Sequence, residues 1–204
     1  MEREFFARIA LEVAPDLLGG FLTTRFDGQE VIVRITEVEA YHGLGVGDIH
    51  DSGAHARRGI TPRVASMYGP PGHLYVYCSY GIHSAANMVC SPLGVASGCL
   101  LRAGEVISGV PIARLRRPSA LKDRDLARGP GRLAQALGLN YKLHNGIDAL
   151  GDLVQFRPGP PVPKELIGTS PRTGVNGVAG SDQFPWRYYI LDDKFVSPFR
   201  AGKS

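Results

Sequence analysis

Glu37, Glu39 and Tyr41 stand at alternate positions of the run Ile35-Thr36-Glu37-Val38-Glu39-Ala40-Tyr41. With the preceding Val31-Ile32-Val33-Arg34, this run predicts one long strand over 30–41, rich in β-branched residues. Alternation along a strand assigns Val31, Val33, Ile35, Glu37, Glu39 and Tyr41 to one face, with the two acids about 6–7 Å apart along it. Two carboxylates at the end of an apolar row repel one another and lose solvation. Either the strand is an edge strand whose polar end has reached water, or a cation or a chemical task compensates.

Further residues with chemical potential lie downstream. His42, His50, His55 and His73 fall in a glycine-rich interval that also carries Arg57, Arg58 and Arg63. Long loops inside a compact domain are commonly functional. Tyr75, Tyr77 and Ser79 alternate on a second predicted strand, and Tyr80-Gly81 marks its turn. A large aromatic at a hairpin tip either folds back on the core or serves a surface meant for another molecule. Arg102 closes the apolar run Gly98–Leu101; a buried arginine needs a carboxylate, and Glu37 or Glu39 would serve.

The elements that must position these groups follow from periodicity and turn chemistry. Phe5, Phe6, Ile9 and Val13 predict a helix over 3–13, and Pro15–Leu18 a helical turn stopped by Gly19-Gly20. Residues 21–26 read as a strand, and Asp27-Gly28 as a tight hairpin into the strand 30–41. Helices are expected at 110–117 and 132–137, the latter stopped by Gly138. Strands are expected at 152–156 and 186–191. The Pro/Gly-rich stretch 157–185 is expected to wrap the surface. The fold class implied is α+β, with 1–204 forming a single domain: a curved, mainly antiparallel sheet with surrounding helices and a protruding hairpin.

The chain has 204 residues and is 44% hydrophobic and 21% charged, as expected for one globular domain. No apolar run reaches transmembrane length, and the first residues lack a signal peptide's apolar core. The protein is therefore expected to be intracellular. The net charge is +4, and of 23 basic residues only five are lysine, the first being Lys122. Arginine forks onto phosphates and stacks on bases, which suits nucleic acid, although a genomic codon bias gives the same composition. Cys78, Cys90 and Cys99 show no metal-binding spacing and read as buried free thiols. No metal site or cofactor is expected.

Taken in order, Glu37-Val-Glu39-Ala-Tyr41, Asp51-x-x-Ala-His55-Ala, Thr61-Pro62-Arg63, Pro71-Gly72-x-Leu-Tyr-Val-Tyr77-x-x-Tyr80-Gly81, Asn87 and Leu-Leu-Arg102-Ala resemble the alkyladenine (3-methyladenine) DNA glycosylase family. The resemblance continues through Gly129-Pro-Gly-x-Leu-x-x-Ala-Leu-Gly138 and Pro171-Arg172-x-Gly174 to Trp186-Arg-x-Tyr. It implies a monofunctional enzyme that flips a damaged purine from duplex DNA and hydrolyses its glycosidic bond, starting base excision repair. By the motif match, Glu39 activates and positions the water, and Arg102 sits beside it. Tyr41, His55 and Tyr77 hold the flipped base, Asn87 screens its exocyclic groups, and Tyr80 is the DNA-intercalating wedge. The partner implied is double-stranded DNA bearing a damaged purine, met by a monomer with no membrane association, in the cytoplasm and nucleoid (in the nucleus, if eukaryotic).

This sequence departs from the family pattern in two places. The interval from Tyr41 to His55 is long and glycine-rich, so His50 competes with His55; the spacing to Thr61-Pro62-Arg63 favours His55. The second hairpin strand, Ile82-His-Ser-Ala-Ala, has small residues, which implies a wider pocket. Independently of the family, a lyase that cuts the backbone through a Schiff base needs an amine, and no lysine precedes residue 122. Two other readings fit parts of the pattern. One is a hydrolase of free nucleosides or glycosides using Glu37 and Glu39 as an acid–base pair. The other is a non-catalytic module that binds damaged DNA.

Overall fold

The computed structural model describes residues 2–47, 49–79 and 81–203. Strand β1 (Phe21–Phe26) turns through Asp27-Gly28, both at positive φ (53° and 71°), into the 14-residue strand β2 (Gln29–His42). Asp27 and Gly28 thus form the two-residue hairpin that their sequence predicts. The remaining strands are β3 (Leu74–Ser79), β4 (His83–Cys90), β5 (Ser97–Ser108), β6 (Val154–Arg157), β7 (Ile167–Ser170) and β8 (Arg187–Ile190). Every pairing is antiparallel, and the sheet runs β3-β4-β5-β2-β1-β6, with β8 joining both β2 and β7. The helices are α1 (Ala10–Leu17), α2 (Val110–Arg116), α3 (Pro130–Leu137) and α4 (Tyr141–His144). The architecture is α+β, as expected.

Strand β2 is no edge strand. One side pairs with β5 along its length; the other pairs with β1 over 29–34 and with β8 over 37–39. Its register against β5 slips on both sides of Glu37, leaving Thr36 on β2 and Arg102 on β5 without cross-strand partners. Such bulges bend a strand and sharpen its twist. Here they also change its parity. Val31, Val33 and Ile35 lie in the main hydrophobic core, and beyond the bulge Val38 and Ala40 take over. Glu37, Glu39 and Tyr41 therefore face the opposite side. This corrects the expectation that all six odd-numbered residues share one face, because that expectation assumed unbroken alternation. Gly104 permits the close strand approach: a Cβ there would collide with Val33 Cγ1 and the Arg34 carbonyl.

The main core lies between the sheet and helices α1 and α3, which bury Val13, Ala14 and Leu17 and Leu133, Ala134, Ala136 and Leu137. Leu74, Val76, Ala86, Met88, Cys99 and Leu101 supply the sheet side. The alternate residues of those strands point the other way. There Tyr75, Val89, Met67, Val64, Ala56 and Ala96 form a second, smaller core, with Tyr77 packed against it. The sheet thus carries hydrocarbon on one face and the floor of a cavity on the other.

Three local expectations need correction. The helix over 3–13 is broken: a 3₁₀ turn (Arg3–Phe6) precedes α1, which runs on through Pro15. The backbone between them is used elsewhere, since Ser91 N–H donates to Phe6 O (2.9 Å) and Arg8 O (2.8 Å), and Ala10 N–H donates to Ser97 Oγ (2.8 Å). The stretch 157–185 does more than wrap the surface. It contributes β7 and sends Arg172, 0% exposed, into the interior. Of the cysteines, Cys90 and Cys99 are buried free thiols, whereas Cys78 is only half-buried.

Candidate active site

Glu37 and Glu39 are both 0% exposed, which excludes the solvated strand end. Their surroundings differ. Glu37 Oε1 accepts from Arg187 Nε (2.6 Å) and Ser197 Oγ (3.0 Å), and Glu37 Oε2 accepts from Ser197 N–H (2.7 Å). Arg102 Nε lies 2.8 Å from Glu37 Oε1 and 3.5 Å from Glu39 Oε1, paired by charge but off the hydrogen-bonding direction. Glu37 is thus a saturated counter-ion. Glu39 keeps free capacity: Oε1 accepts from Thr173 N–H (2.7 Å) and Oε2 from the Tyr41 hydroxyl (2.9 Å), leaving about two of its four lone-pair positions open.

Glu39, unlike Glu37, lines a cavity of about 460 Å³. Tyr41, His55, Tyr77, Asn87 and Arg102 line it too, so the structure brings together all the described residues that sequence reading nominated. Tyr80, nominated as the wedge, lies outside the described residues. His50 lines a separate, shallower cavity beside Gly43–Gly45. His55 donates or accepts at Nδ1 with Tyr75 OH (3.1 Å) and meets the Tyr77 ring edge-on, with centroids 4.6 Å apart. Tyr75 stacks on Tyr77 at 5.3 Å and an interplanar angle of 20°. Asn87 Nδ2 donates to Tyr75 O (3.3 Å), which fixes the amide on the cavity wall.

The aromatic wall is uncharged near neutral pH. His55 remains solvent-exposed at the cavity, yet partial desolvation there, followed by the charges of Arg63 and Arg57, lowers it to about 4 and keeps its imidazole neutral. Burial, followed by the neighbouring Tyr75 and Glu39, pushes Tyr77 up to about 12. Tyr41 is raised well above an ordinary phenol, chiefly by burial and the charge of Glu39, against the opposing pull of Arg172. It therefore remains a hydrogen donor to Glu39. A neutral wall of π faces beside a fixed carboxylate attracts a cation. A flat, positively charged heterocycle fits that description.

Sequence reading missed the second tier of the site. Asp51, Arg172 and Thr173 received no role, yet they tie three chain segments together. Arg172 forms a fork–fork pair with Asp51 (2.7 Å on both arms) and donates to Ala40 O and Ala179 O, each at 2.9 Å. Burial works against this charge, but the hydrogen bonds to Asp51 and the nearby Tyr41 and Glu39 raise Arg172 overall. Asp51 and Arg172 are 121 residues apart, so no local pattern couples them. The available signal was their place in the quoted motifs, Asp51-x-x-Ala-His55-Ala and Pro171-Arg172-x-Gly174, where neither was given a role.

With that geometry in hand, the comparisons with known proteins fall into place. Residues 4–194 match the family model described as methylpurine-DNA glycosylase (MPG). A Streptomyces avermitilis protein, provisionally named a 3-methyladenine DNA glycosylase, is 48% identical over 98% of this chain and 92% of its own length. Proteins with the same provisional name from Leifsonia xyli and Chlorobaculum parvum are 46% and 42% identical, over 97% and 98% of this chain and 92% and 91% of theirs.

Proposed function

The chain belongs to the methylpurine-DNA glycosylase family, and on that premise we propose that it excises alkylated, 3-methyladenine-type or deaminated purines from duplex DNA by hydrolysis of the N-glycosidic bond. The observation that carries this reading is the pairing of Glu39 with a neutral aromatic wall inside one cavity. The bond is unreachable inside the stack, so the nucleotide is turned out into the cavity. Tyr41, Tyr77 and His55 sandwich the base, and Asn87 meets its exocyclic edge. Cleavage builds positive charge on the deoxyribose, which Glu39 stabilises while taking the proton of the attacking water. Arg102 neutralises the carboxylate pair and orients the water. Stacking worth about 1–3 kcal/mol per base offsets the few kcal/mol needed for unstacking.

Release of the base without strand cleavage follows from the amines. Among the described residues, those lining the cavity include Arg57, Arg63 and Arg102 but no lysine. Tyr80 is proposed as the residue that fills the vacated stack, because it sits in sequence at the turn between β3 and β4. Among the described residues, no helix is long and apolar enough to cross a membrane. Action as a monomer in the cytoplasm, on the nucleoid, completes the reading. Glu37 is held by Arg187 and Ser197 and lies outside the cavity lining, which disfavours the acid–base pair of a free-glycoside hydrolase.

The test is single-turnover excision on a duplex carrying one hypoxanthine or one alkylated adenine, analysed with and without alkali. Strand breaks appearing only after alkali support the proposal. Breaks without alkali overturn the monofunctional reading, and no release from either lesion overturns the enzyme reading in favour of a binding module.

A further inference from the structure

The buried Asp51–Arg172 pair lies directly behind the cavity lining, against Tyr41 and Gly53. The Arg172 guanidinium lies against the Tyr41 ring, 4.3 Å from its centroid, with Trp186 at 5.1 Å on another side. It donates to Ala40 O, the peptide between Glu39 and Tyr41. The residue after it, Thr173, supplies the amide that holds Glu39 Oε1 at 2.7 Å. Its partner Asp51 also accepts from His42 N–H at the end of β2 (3.2 Å) and from Gly53 N–H (2.9 Å). Ser52, Gly53 and Thr173 to Asn176 all line the cavity, with Gly53 packed close against Val175 and Arg172. Asp51 and Arg172 are both essentially inaccessible to solvent.

The consequence is mechanical. Glu39 has two donors, the Tyr41 hydroxyl and the Thr173 amide. Arg172 governs both, the first through its side chain against the ring, the second through its own backbone. A flat, five-donor fork can do this; a point-charge ammonium cannot, since it neither stacks nor bonds bidentately.

Building on the glycosylase reading, we infer that Arg172, anchored by Asp51, is a positioning residue for bond cleavage: it sets the orientation of Glu39 through Tyr41 and Thr173. It acts on the step after the base has entered the cavity, so its loss falls on the rate of release and spares the affinity for damaged duplex.

The experiment is a double-mutant cycle between Arg172→Lys and Tyr41→Phe, read by single-turnover excision, by equilibrium binding to the same lesion duplex, and by thermal unfolding. Tyr41→Phe keeps the ring on the guanidinium and deletes the hydroxyl bond to Glu39. Arg172→Lys is expected to slow release by about a hundredfold, the scale of a 1 Å misplacement, with duplex affinity changed by less than about threefold. If Arg172 works through the Tyr41 hydroxyl, the double variant is no slower than the slower single variant; independent roles would multiply. Multiplied losses, rate and affinity falling together, or wild-type rates in Arg172→Lys would each overturn the inference. Asp51→Asn keeps the shape and one acceptor and provides a second route should Arg172→Lys not fold. Failure of both to fold would make the pair a folding element and overturn the positioning role. Wild-type protein is the control: absence of release there would refute the glycosylase reading, whereas normal wild-type release with unaffected variants would refute this inference alone.

Discussion

Replacing Glu39 by glutamine isolates the charge of the proposed catalytic carboxylate. The side chain is 0% exposed and held by Thr173 N–H at 2.7 Å and the Tyr41 hydroxyl at 2.9 Å. A glutamine can satisfy both: its oxygen takes the amide and its NH₂ meets the tyrosine hydroxyl, which rotates to accept. The fold should therefore survive. The local charge does not. In the wild type, Glu37 and Glu39 balance Arg102 and Arg187; the variant leaves one positive charge in excess beside the sugar. At a separation of about 4 Å and an effective dielectric of about 20, losing one negative charge withdraws about 4 kcal/mol from a cationic transition state. That corresponds to about a thousandfold in rate, before any loss of general-base function, itself worth about 10²-fold or more. The assay is single-turnover release from a lesion duplex, with binding measured in parallel. A loss smaller than about tenfold with intact fold would refute the argument, because a developing cation about 4 Å from Glu39 cannot ignore that charge.

Other consequences can be checked alongside. His55→Ala should slow release markedly while His50→Ala stays near wild type, because only His55 meets Tyr77 and lines the main cavity; the reverse order in the same kinetic assay would exchange their roles. Tyr80→Ala should weaken binding to lesion duplex and reduce flipping, read by a fluorescent base analogue, with the thermal midpoint unchanged; normal flipping would remove the wedge. His42 is 0% exposed with both ring nitrogens unpartnered, and burial, partly opposed by Asp51 and reinforced by Arg172, lowers it to about 4. Its folded value lies below the unfolded one, so its contribution is complete above about pH 6.5 and is lost as pH falls towards 4, by up to about 3 kcal/mol. Urea titrations should show His42→Leu losing less stability than wild type over that window; parallel losses would place the acid sensitivity elsewhere.

Much of this protein can be read from its sequence because its signals are local. Asp27-Gly28 specifies its hairpin, Gly138 stops α3 at φ 74°, and β2 announces itself by β-branched residues. What escaped reading depends on partners far away in the chain. The parity switch at Thr36 is invisible because a bulge is defined against β5, not within β2. Strand β7, Ile-Gly-Thr-Ser, is too short and glycine-marked to read alone, and forms because β8 offers it an edge. Spacing and resemblance identified the first circle of residues around the cavity, whereas Asp51 and Arg172 beneath it stood in the quoted motifs without a role. Side chains that touch a substrate are constrained in type, whereas those that hold them are constrained only by where the chain returns.

The bulge in β2 also makes the strand's length a functional quantity. Thr36 is fully buried with an unpartnered hydroxyl, so the fold tolerates an unfavourable residue to keep one extra step in the backbone. That step works as a phase shifter between two sequence codes. Before it, odd positions spell hydrocarbon; after it, odd positions spell chemistry. Straightening the strand with Thr36 retained would turn Glu37 and Glu39 into the layer that Val38 and Ala40 now fill and face two aliphatic side chains toward the cavity, whereas excising Thr36 would let a regular strand keep both sets where they are. Substitutions along β2 adjust either packing or catalysis, while loss of the bulge at constant length would exchange them.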